Sequence, residues 1–281
     1  MTTATLTRAA SRSRGRYGFR TVARMEWLKL RSVRSTWWIL LVLAAGLIGM
    51  AILVMAHEHW TTMSAVDRAS FDPTNNSYWG LAIGQLAIGV LGVLTVTSEF
   101  SSGMIRATFA AVPRRPLVLA AKAAVLAAVT LVAGEILAFT AFAIGQAVLK
   151  SPAPHATLGQ PGVLRAVLMA GAYPALIALI GLGLGALIRH TAGAISAVVG
   201  VLFVLPLILG QLGTSVQHAA EKFVPMLIAE NSLTAVKPVP HALSPGLGLG
   251  LLVLYAAAAL AAGSWALARR QAVWHGLDRG Q

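Results

Sequence analysis

The chain has 281 residues, of which 57% are hydrophobic and 11% charged, and its mean hydropathy is +0.75. A soluble domain carries roughly 25% charged residues, so this composition is not that of a water-soluble protein. The formal net charge is +13, and there is no cysteine, which excludes a disulfide framework, thiol catalysis and cysteine-ligated zinc. The basic residues flank apolar runs instead of forming a soluble basic face, so we expect no nucleic-acid partner.

Six apolar runs are long enough to cross a bilayer as helices, which takes about 20 residues each. They cover residues 37–56, 80–98, 123–149, 166–188, 192–213 and 246–268. The first run is too long for the apolar core of a signal peptide, so we expect it to remain as a span. The sequence therefore predicts an all-α membrane protein with a six-span domain over residues 37–268, in which Pro174 and Pro206 introduce kinks.

The distribution of basic residues predicts the orientation of these spans. Of the 22 Lys and Arg residues, 17 lie in the two terminal segments and in the connections after spans two and four, which all fall on one side. Because cytoplasmic segments carry the excess of Lys and Arg, both termini are predicted to be cytoplasmic. A basic disordered arm over residues 1–16 and a cytoplasmic tail over residues 269–281 complete this arrangement, with the cell membrane as the expected location.

Residues 17–36 predict an amphipathic helix lying along the cytoplasmic face of the membrane. One stripe of this helix carries basic residues and a tryptophan: Arg20, Arg24, Trp27, Arg31 and Arg34. A second face carries the apolar residues Phe19, Val22, Leu30 and Val33. The alternative, a disordered basic arm, fits residues 1–16 well but residues 17–34 poorly.

The connection over residues 214–245 is long and partly apolar. Its stretch Phe223–Ile228 is too short to span a membrane, which favours a re-entrant or interfacial hairpin with Pro225 at the bend. A surface helix packed on the bundle is the alternative.

The chain lacks the signatures of catalysis, cofactor binding and metal binding. It contains no GxxxxGK[ST] motif, so it has no P-loop for nucleotide phosphates. His57 and His59 are two residues apart, whereas zinc-binding helices place two histidines four residues apart. We therefore expect no enzymatic activity in this chain itself.

Glu135 falls near the middle of the third apolar run. A charged carboxylate there costs at least about 2.5 kcal/mol, so it must face a partner or a cavity, or be protonated. Thr140 and Gln146 lie on the same run and could extend a polar track from it. A structural hydrogen bond to a neighbouring span is the equally weighted alternative.

The most specific stretch is the connection between spans two and three, SEFSSGMIRATFAAVPRRPLVLAAKA. It predicts a short helix around Arg106 that ends before Pro113 and two arginines, a basic knob shaped to dock on another protein. The positive-inside rule alone would also place a basic connection here.

These residues resemble the first cytoplasmic loop of the ATP-binding-cassette type-2 permease family. The matching positions are Glu99, Gly103, Thr108, Pro113, Arg115 and Lys122. The opening RMEWLKLRSVRSTWW similarly resembles the juxtamembrane start of actinobacterial members, with Glu26, Lys29 and Arg31 at the matching places. With six spans and an apolar segment before the last, the resemblance extends over nearly the whole chain.

The resemblance implies an exporter subunit that pairs with a separate ATPase subunit and with a second copy of this chain or a related permease. ATP and magnesium would bind to that ATPase, and this chain would bind no cofactor. Residues 99–122, including Arg106, would then hold the coupling helix, residues 17–36 an elbow helix, and residues 214–245 an external re-entrant hairpin. The expected cargo is hydrophobic or amphipathic, such as a drug, a lipid-like molecule or a peptide.

Two other functions stay open. Glu135 and the kinked, glycine-rich spans are compatible with an ion-coupled secondary transporter, although the two halves of the chain show no inverted repeat. The same scaffold could also serve a membrane sensor or immunity protein that does not pump.

Overall fold

The computed structural model of the chain describes residues 18–212, 216, 222–235 and 243–277. The predicted arm over residues 1–16, the last four residues of the predicted tail and parts of the segment 214–245 lie outside the described residues. No strand occurs within the described part, which is helical almost throughout.

Within the described residues, six helices are long and apolar enough to cross a membrane, as the sequence predicts. They are α2 (Arg34–His57), α5 (Leu81–Ser101), α7 (Arg115–Val148), α8 (Val163–Ile188), the composite span Thr191–Gln211, and α12 (Pro245–Leu277). The composite span consists of α9 (Thr191–Val199), a π-helical turn (Gly200–Val204) and α10 (Leu205–Gln211). The prediction of an all-α protein with six membrane-length helices is therefore confirmed.

Short helices lie at the two ends of this bundle. They are α1 (Phe19–Ser32), α3 (Ala65–Ser70), α4 (Pro73–Asn76), α6 (Met104–Ala111) and α11 (Pro225–Ser232), with a 3₁₀ turn at Trp60–Thr62. We call the end that carries α1 and α6 the basic end, and the end that carries α3, α4 and α11 the opposite end.

Helix α8 lies at the centre of the bundle and packs against α5, α7 and α12. Glycines allow the closest of these approaches: a Cβ atom at Gly92 of α5 would overlap the Ala178 carbonyl of α8, and one at Gly181 would overlap the Gly89 carbonyl. In lipid there is no hydrophobic driving force between helices, and small residues favour helix packing because they let the backbones approach closely. Few residues of α2, of the composite span and of α12 are buried within the single chain.

Two spans differ from the sequence prediction. Helix α7 begins at Arg115, eight residues before the predicted residue 123, because Pro116 suits the first turn of a helix and the following residues are apolar. Lys122 therefore lies inside a helix and not in a connection. In the composite span, Pro206 has no N–H to donate, and the predicted kink takes the form of the π-helical turn just before it.

Candidate functional site

A cluster of four charged side chains is buried at the basic end, and we call Glu26, Lys29, Glu99 and Lys122 the charge cluster. Lys122 Nζ lies 2.5 Å from Glu26 Oε2 and 2.5 Å from Glu99 Oε1. Lys29 Nζ lies 2.9 Å from Glu26 Oε1 and 2.9 Å from Glu99 Oε1. Each ammonium group therefore bridges both carboxylates, and the four charges cancel.

Three helices contribute to the charge cluster. Glu26 and Lys29 are one turn apart on α1, Glu99 lies in the last turn of α5, and Lys122 lies in the second turn of α7. Glu26 belongs to the buried face of α1, between Val22 and Leu30. The cluster thus joins the juxtamembrane helix to the basic ends of spans two and three.

Burial makes this arrangement demanding. Glu26, Glu99 and Lys122 are only 2–3% exposed. Removing the partner of a buried charge destabilises the fold far more than removing the partner of an exposed one. Each member of the charge cluster therefore needs the others in order to stay buried. The remaining N–H groups are also bonded: Lys122 donates to the Thr95 carbonyl at 3.3 Å, and Lys29 donates to Thr108 Oγ1 at 3.3 Å.

Lys29 is the partly exposed member of the charge cluster. Burial by itself would lower the pKa of Lys29, but hydrogen bonds to Glu99 and Glu26 and the charges of both carboxylates outweigh burial and raise it. The Lys29 ammonium group is therefore held in its charged form at neutral pH.

Helix α6 connects to the charge cluster through Thr108. Thr108 Oγ1 donates to Glu99 Oε2 at 3.4 Å and accepts from Lys29, and the Thr108 side chain is buried beside Ile105. Gly103 precedes α6 with φ +72°, a conformation that favours glycine and turns the chain sharply out of α5. The other face of α6, including Arg106, is exposed.

Arg115 ties α6 to the last span. Its guanidinium lies 4.9 Å from the centre of the Phe109 ring, and its Nη1 donates to the Leu267 carbonyl of α12 at 3.2 Å. Pro113 is exposed in the short connection before α7. Arg106, Pro113 and Arg115 thus do not belong to the charge cluster, although Arg106 and the cluster partner Thr108 share helix α6.

Within the residues predicted to form an amphipathic helix, 17–36, the structure has the helix α1 over Phe19–Ser32. Its arginines at 20, 24 and 31 are exposed, as is Arg34 at the start of α2, and Trp27 is 45% exposed. Phe19 and Val33, expected on its apolar face, are exposed as well. The buried face packs on α7 of the same chain and includes Glu26, since its two lysine partners lie on that side.

The structure does not bring Glu135, Thr140 and Gln146 together. Thr140 lies about 140° around the helix from Glu135, because five residues advance an α-helix by that angle beyond one full turn. Thr140 donates to the carbonyl of Ile136 in its own helix at 2.7 Å. Gln146 instead bonds the opposite-end connections, donating to the Pro73 carbonyl at 3.1 Å and accepting from the Ala156 N–H at 2.8 Å.

Glu135 packs against the backbone of α8 at Gly171, where a Cβ atom would overlap the Glu135 carboxyl carbon. Its buried Oε2 has no hydrogen-bond partner among the described residues. Burial raises the pKa of the nearby Tyr78 hydroxyl, and the Glu135 carboxylate adds to that rise. Glycine at position 171 thus makes room for a carboxyl group that has no bonded partner in the described structure.

The opposite end is held by side chains that bond the backbone. Arg165 of α8 donates to the carbonyls of Ser232 and Thr234, at 3.0 and 2.8 Å, just where α11 ends. Asp72 accepts from the Ala235 N–H at 2.6 Å through Oδ2, while its Oδ1 caps α4. Helix α11 and the residues just after it are thereby anchored to span four and to the connection between spans one and two.

Sequence reasoning missed several of these residues. Asp72 followed by Pro73 is a helix-start pattern that could have indicated the anchor at α4. Gln85 and Tyr173 are polar side chains inside apolar runs, a pattern that indicates a buried hydrogen bond. Tyr173 donates to Gln85 Oε1 at 2.5 Å in the core. Arg165 carried no local signal, because its partners are 67 and 69 residues away.

In comparisons with known proteins, no family model and no curated protein matches the sequence. The structure itself defines the class: over the residues it describes, the protein is helical and has six helices long and apolar enough to cross a membrane.

Proposed function

We propose that this chain is the membrane-spanning subunit of an ATP-driven exporter whose ATP is hydrolysed by a separate ATP-binding-cassette subunit. The charge cluster is the observation that supports this function most. The cluster and Thr108, which bonds it, bring together five of the positions on which the resemblance to type-2 permeases depends: Glu26, Lys29, Glu99, Thr108 and Lys122. They come from four helices that would have to move together when an ATPase pushes on the basic end.

In this proposal α6 is the coupling helix. Its exposed face, including Arg106, would dock on the ATPase, while Ile105 and Thr108 on its buried face contact the bundle. A displacement of α6 would reach Glu99 through Thr108, and the ion pairs would carry it to α1 and α7. Because separating one buried pair costs about 3–5 kcal/mol, the cluster would move as a block.

The proposed cargo path involves two copies of the chain or one copy and a related permease. Helix α2 and the composite span present large exposed apolar side chains, among them Leu41, Val42, Leu207 and Ile208. A second permease and lipid would cover these surfaces, and a hydrophobic or amphipathic cargo would enter between the permeases from the basic end, which we place in the cytoplasm. ATP-driven closure would then expel it past α11.

The test is co-purification of the tagged chain from native membranes, followed by ATPase assays. Arg106→Glu reverses a charge on the exposed face of α6 without touching the charge cluster. We expect a cassette ATPase to co-purify with the unmodified chain and to be lost, or uncoupled from transport, in Arg106→Glu. Arg68→Glu is the matched control, since Arg68 is exposed at the opposite end, where it bonds the carbonyls of Trp60 and Thr61 and lies over the Trp60 ring.

If no ATPase co-purifies, or if both charge reversals act alike, the exporter proposal fails. A chain that binds an ATPase without moving any cargo would instead favour the sensor or immunity function on the same scaffold.

A second candidate, an ion-coupled carrier, is favoured by one observation: the Glu135 carboxyl lies inside span three without a bonded partner among the described residues. Such intramembrane carboxylates are common in proton relays. If the chain is a carrier, a pH gradient across liposomes should drive transport without ATP, and Glu135→Gln should abolish it. Transport that survives Glu135→Gln with its pH dependence intact removes the carboxylate from the mechanism.

A further inference from the structure

A cavity of about 230 Å³ lies near the opposite end, between α5, α8 and α11. Its wall combines aromatic, polar, acidic and apolar side chains, among them Tyr78, Trp79, Gln85, Tyr173, Glu230 and Met226. Tyr78, Gln85 and Tyr173 are only 1–3% exposed, whereas Trp79 is 56% exposed. The cavity therefore has a buried polar floor and a tryptophan at its accessible side.

The hydroxyl protons of this wall are already used within the protein. Tyr173 donates to Gln85 Oε1 at 2.5 Å, and Tyr78 donates to the Ala138 carbonyl at 3.3 Å. The two phenol oxygens keep their lone pairs, and the aromatic faces keep their negative electrostatic potential. The wall thus has more to offer a positive group than a negative one.

The charges around the cavity point the same way. Glu230 contributes a carboxylate at the rim, while among the described residues no Lys or Arg lines the cavity. An anion would find no ionic partner in this wall. A hydrated inorganic cation would have to lose its water against mostly apolar surface, whereas an organic cation can place apolar groups there.

We propose that this cavity binds an organic ammonium ion that carries an apolar or aromatic group. Trp79 would supply the main cation–π contact, and Glu230 would attract the positive charge at the rim. As a statement about binding, this site does not depend on pumping. As a statement about cargo, it rests on the proposed function and makes the cargo a cationic amphiphile.

The probe is benzyltrimethylammonium, and phenylmethanesulfonate serves as its anionic counterpart of similar size. Binding to the full chain in lipid nanodiscs is measured by equilibrium dialysis, with empty nanodiscs subtracted to remove partition into lipid. We expect saturable binding of the cation, with the sulfonate at least about tenfold weaker, as one lost cation–π contact and repulsion by Glu230 require.

The variants assign that binding to this cavity. Trp79→Leu keeps an apolar side chain but removes the ring, and it should weaken cation binding about tenfold. Glu230→Gln should weaken it less, about threefold, because a rim charge is screened by water. Trp38→Leu is the matched control: Trp38 is 66% exposed on α2, at the other end of the bundle, and its loss should change nothing.

Equal binding of cation and sulfonate, or cation binding that Trp79→Leu leaves intact, would overturn this assignment. Neither result bears on the ATPase, which is absent from the measurement. Conversely, selective cation binding by a chain that recruits no ATPase would keep the site and end the exporter proposal, so the two failures are distinguishable.

Discussion

The two ends of the bundle are held together by different chemistry. At the basic end, four charged side chains bond one another across three helices, and water is excluded from all but Lys29. At the opposite end, Asp72, Gln146 and Arg165 each bond main-chain groups of connections and short helices. Ion pairs between side chains dominate at the basic end, where Arg115 also bonds the Leu267 carbonyl. Hydrogen bonds between side chains and main-chain groups dominate at the opposite end.

This difference has a mechanical consequence. Ion pairs between helices transmit displacement, because moving one helix alone would leave a buried charge on its neighbour without a partner. Hydrogen bonds from single side chains to backbone groups are individually weaker and can be exchanged for water. We therefore expect the basic end to move as a unit and the opposite end to open one contact at a time, and the following experiments try to break that contrast.

Lys122→Met should have the largest effect. It removes the ammonium group that bridges Glu26 and Glu99, leaving two buried carboxylates with Lys29 alone. We expect a loss of about 3–5 kcal/mol in the free energy of unfolding, measured by SDS titration of the purified chain. Lys150→Met, at an exposed site near the opposite end, is the control and should change stability little. A Lys122→Met chain as stable as the unmodified one would mean that the charge cluster does not hold the basic end together.

Arg165→Leu should have a smaller and more local effect. It frees the carbonyls of Ser232 and Thr234 and should cost about 1.5–3 kcal/mol, as expected for hydrogen bonds from a charged group. Hydrogen exchange should accelerate in residues 225–235 and stay unchanged in α1 and α6. Arg68→Leu, which also removes an arginine bonded to two carbonyls, should leave exchange in 225–235 unaltered. Faster exchange at both ends would contradict independent anchoring.

The contrast between the ends also separates what the sequence could predict from what it could not. Apolar length and charge distribution are local properties, so the six helices and the sorting of basic residues follow from the sequence. Helix α6 follows as well. Gly103 and Pro113 are residues that favour helix ends, and the run between them contains neither glycine nor proline.

The charge cluster could not be derived in the same way. Glu26 and Lys122 are 96 residues apart, and only the packing of α1 on α7 brings them together. The sequence pattern that we interpret as a resemblance to type-2 permeases named these positions without predicting that they contact one another. Glu135 was only partly predictable. Its position near the middle of a span follows from the sequence, but its contact with Gly171 depends on how closely α7 and α8 approach each other.

Thr108→Val tests the link between α6 and the charge cluster. It removes the hydroxyl between Lys29 and Glu99 while keeping the shape of the side chain, and should cost about 1 kcal/mol. If α6 is the coupling helix, cargo-stimulated ATPase activity should fall more than this small loss of stability explains. Thr108→Ser keeps the hydroxyl and should restore stimulation. Equal stimulation in Thr108→Val and the unmodified chain would show that the hydroxyl takes no part in coupling.

The smallest effects should appear in the pH dependence, and they should have different ranges at the two ends. The folded pKa of Lys29 is raised above its ordinary value of 10.5, so its stabilising contribution is complete below that pH and is lost only as pH rises through the folded pKa. The stability difference between the unmodified chain and Lys29→Met should therefore be flat from about pH 6 to about pH 9.

Glu58, at the opposite end, should titrate on the acid side. Burial raises its pKa from 4.5, although a hydrogen bond from Asn76 and the nearby His59 oppose this. A carboxyl group whose folded pKa is raised stabilises the fold at low pH and loses that contribution as pH rises through the folded pKa. Unfolding titrations from about pH 7 down to about pH 4 should show the unmodified chain gaining stability relative to Glu58→Gln. The same gain relative to Lys29→Met in that range would contradict the assignment, because the Lys29 ammonium group stays charged throughout it.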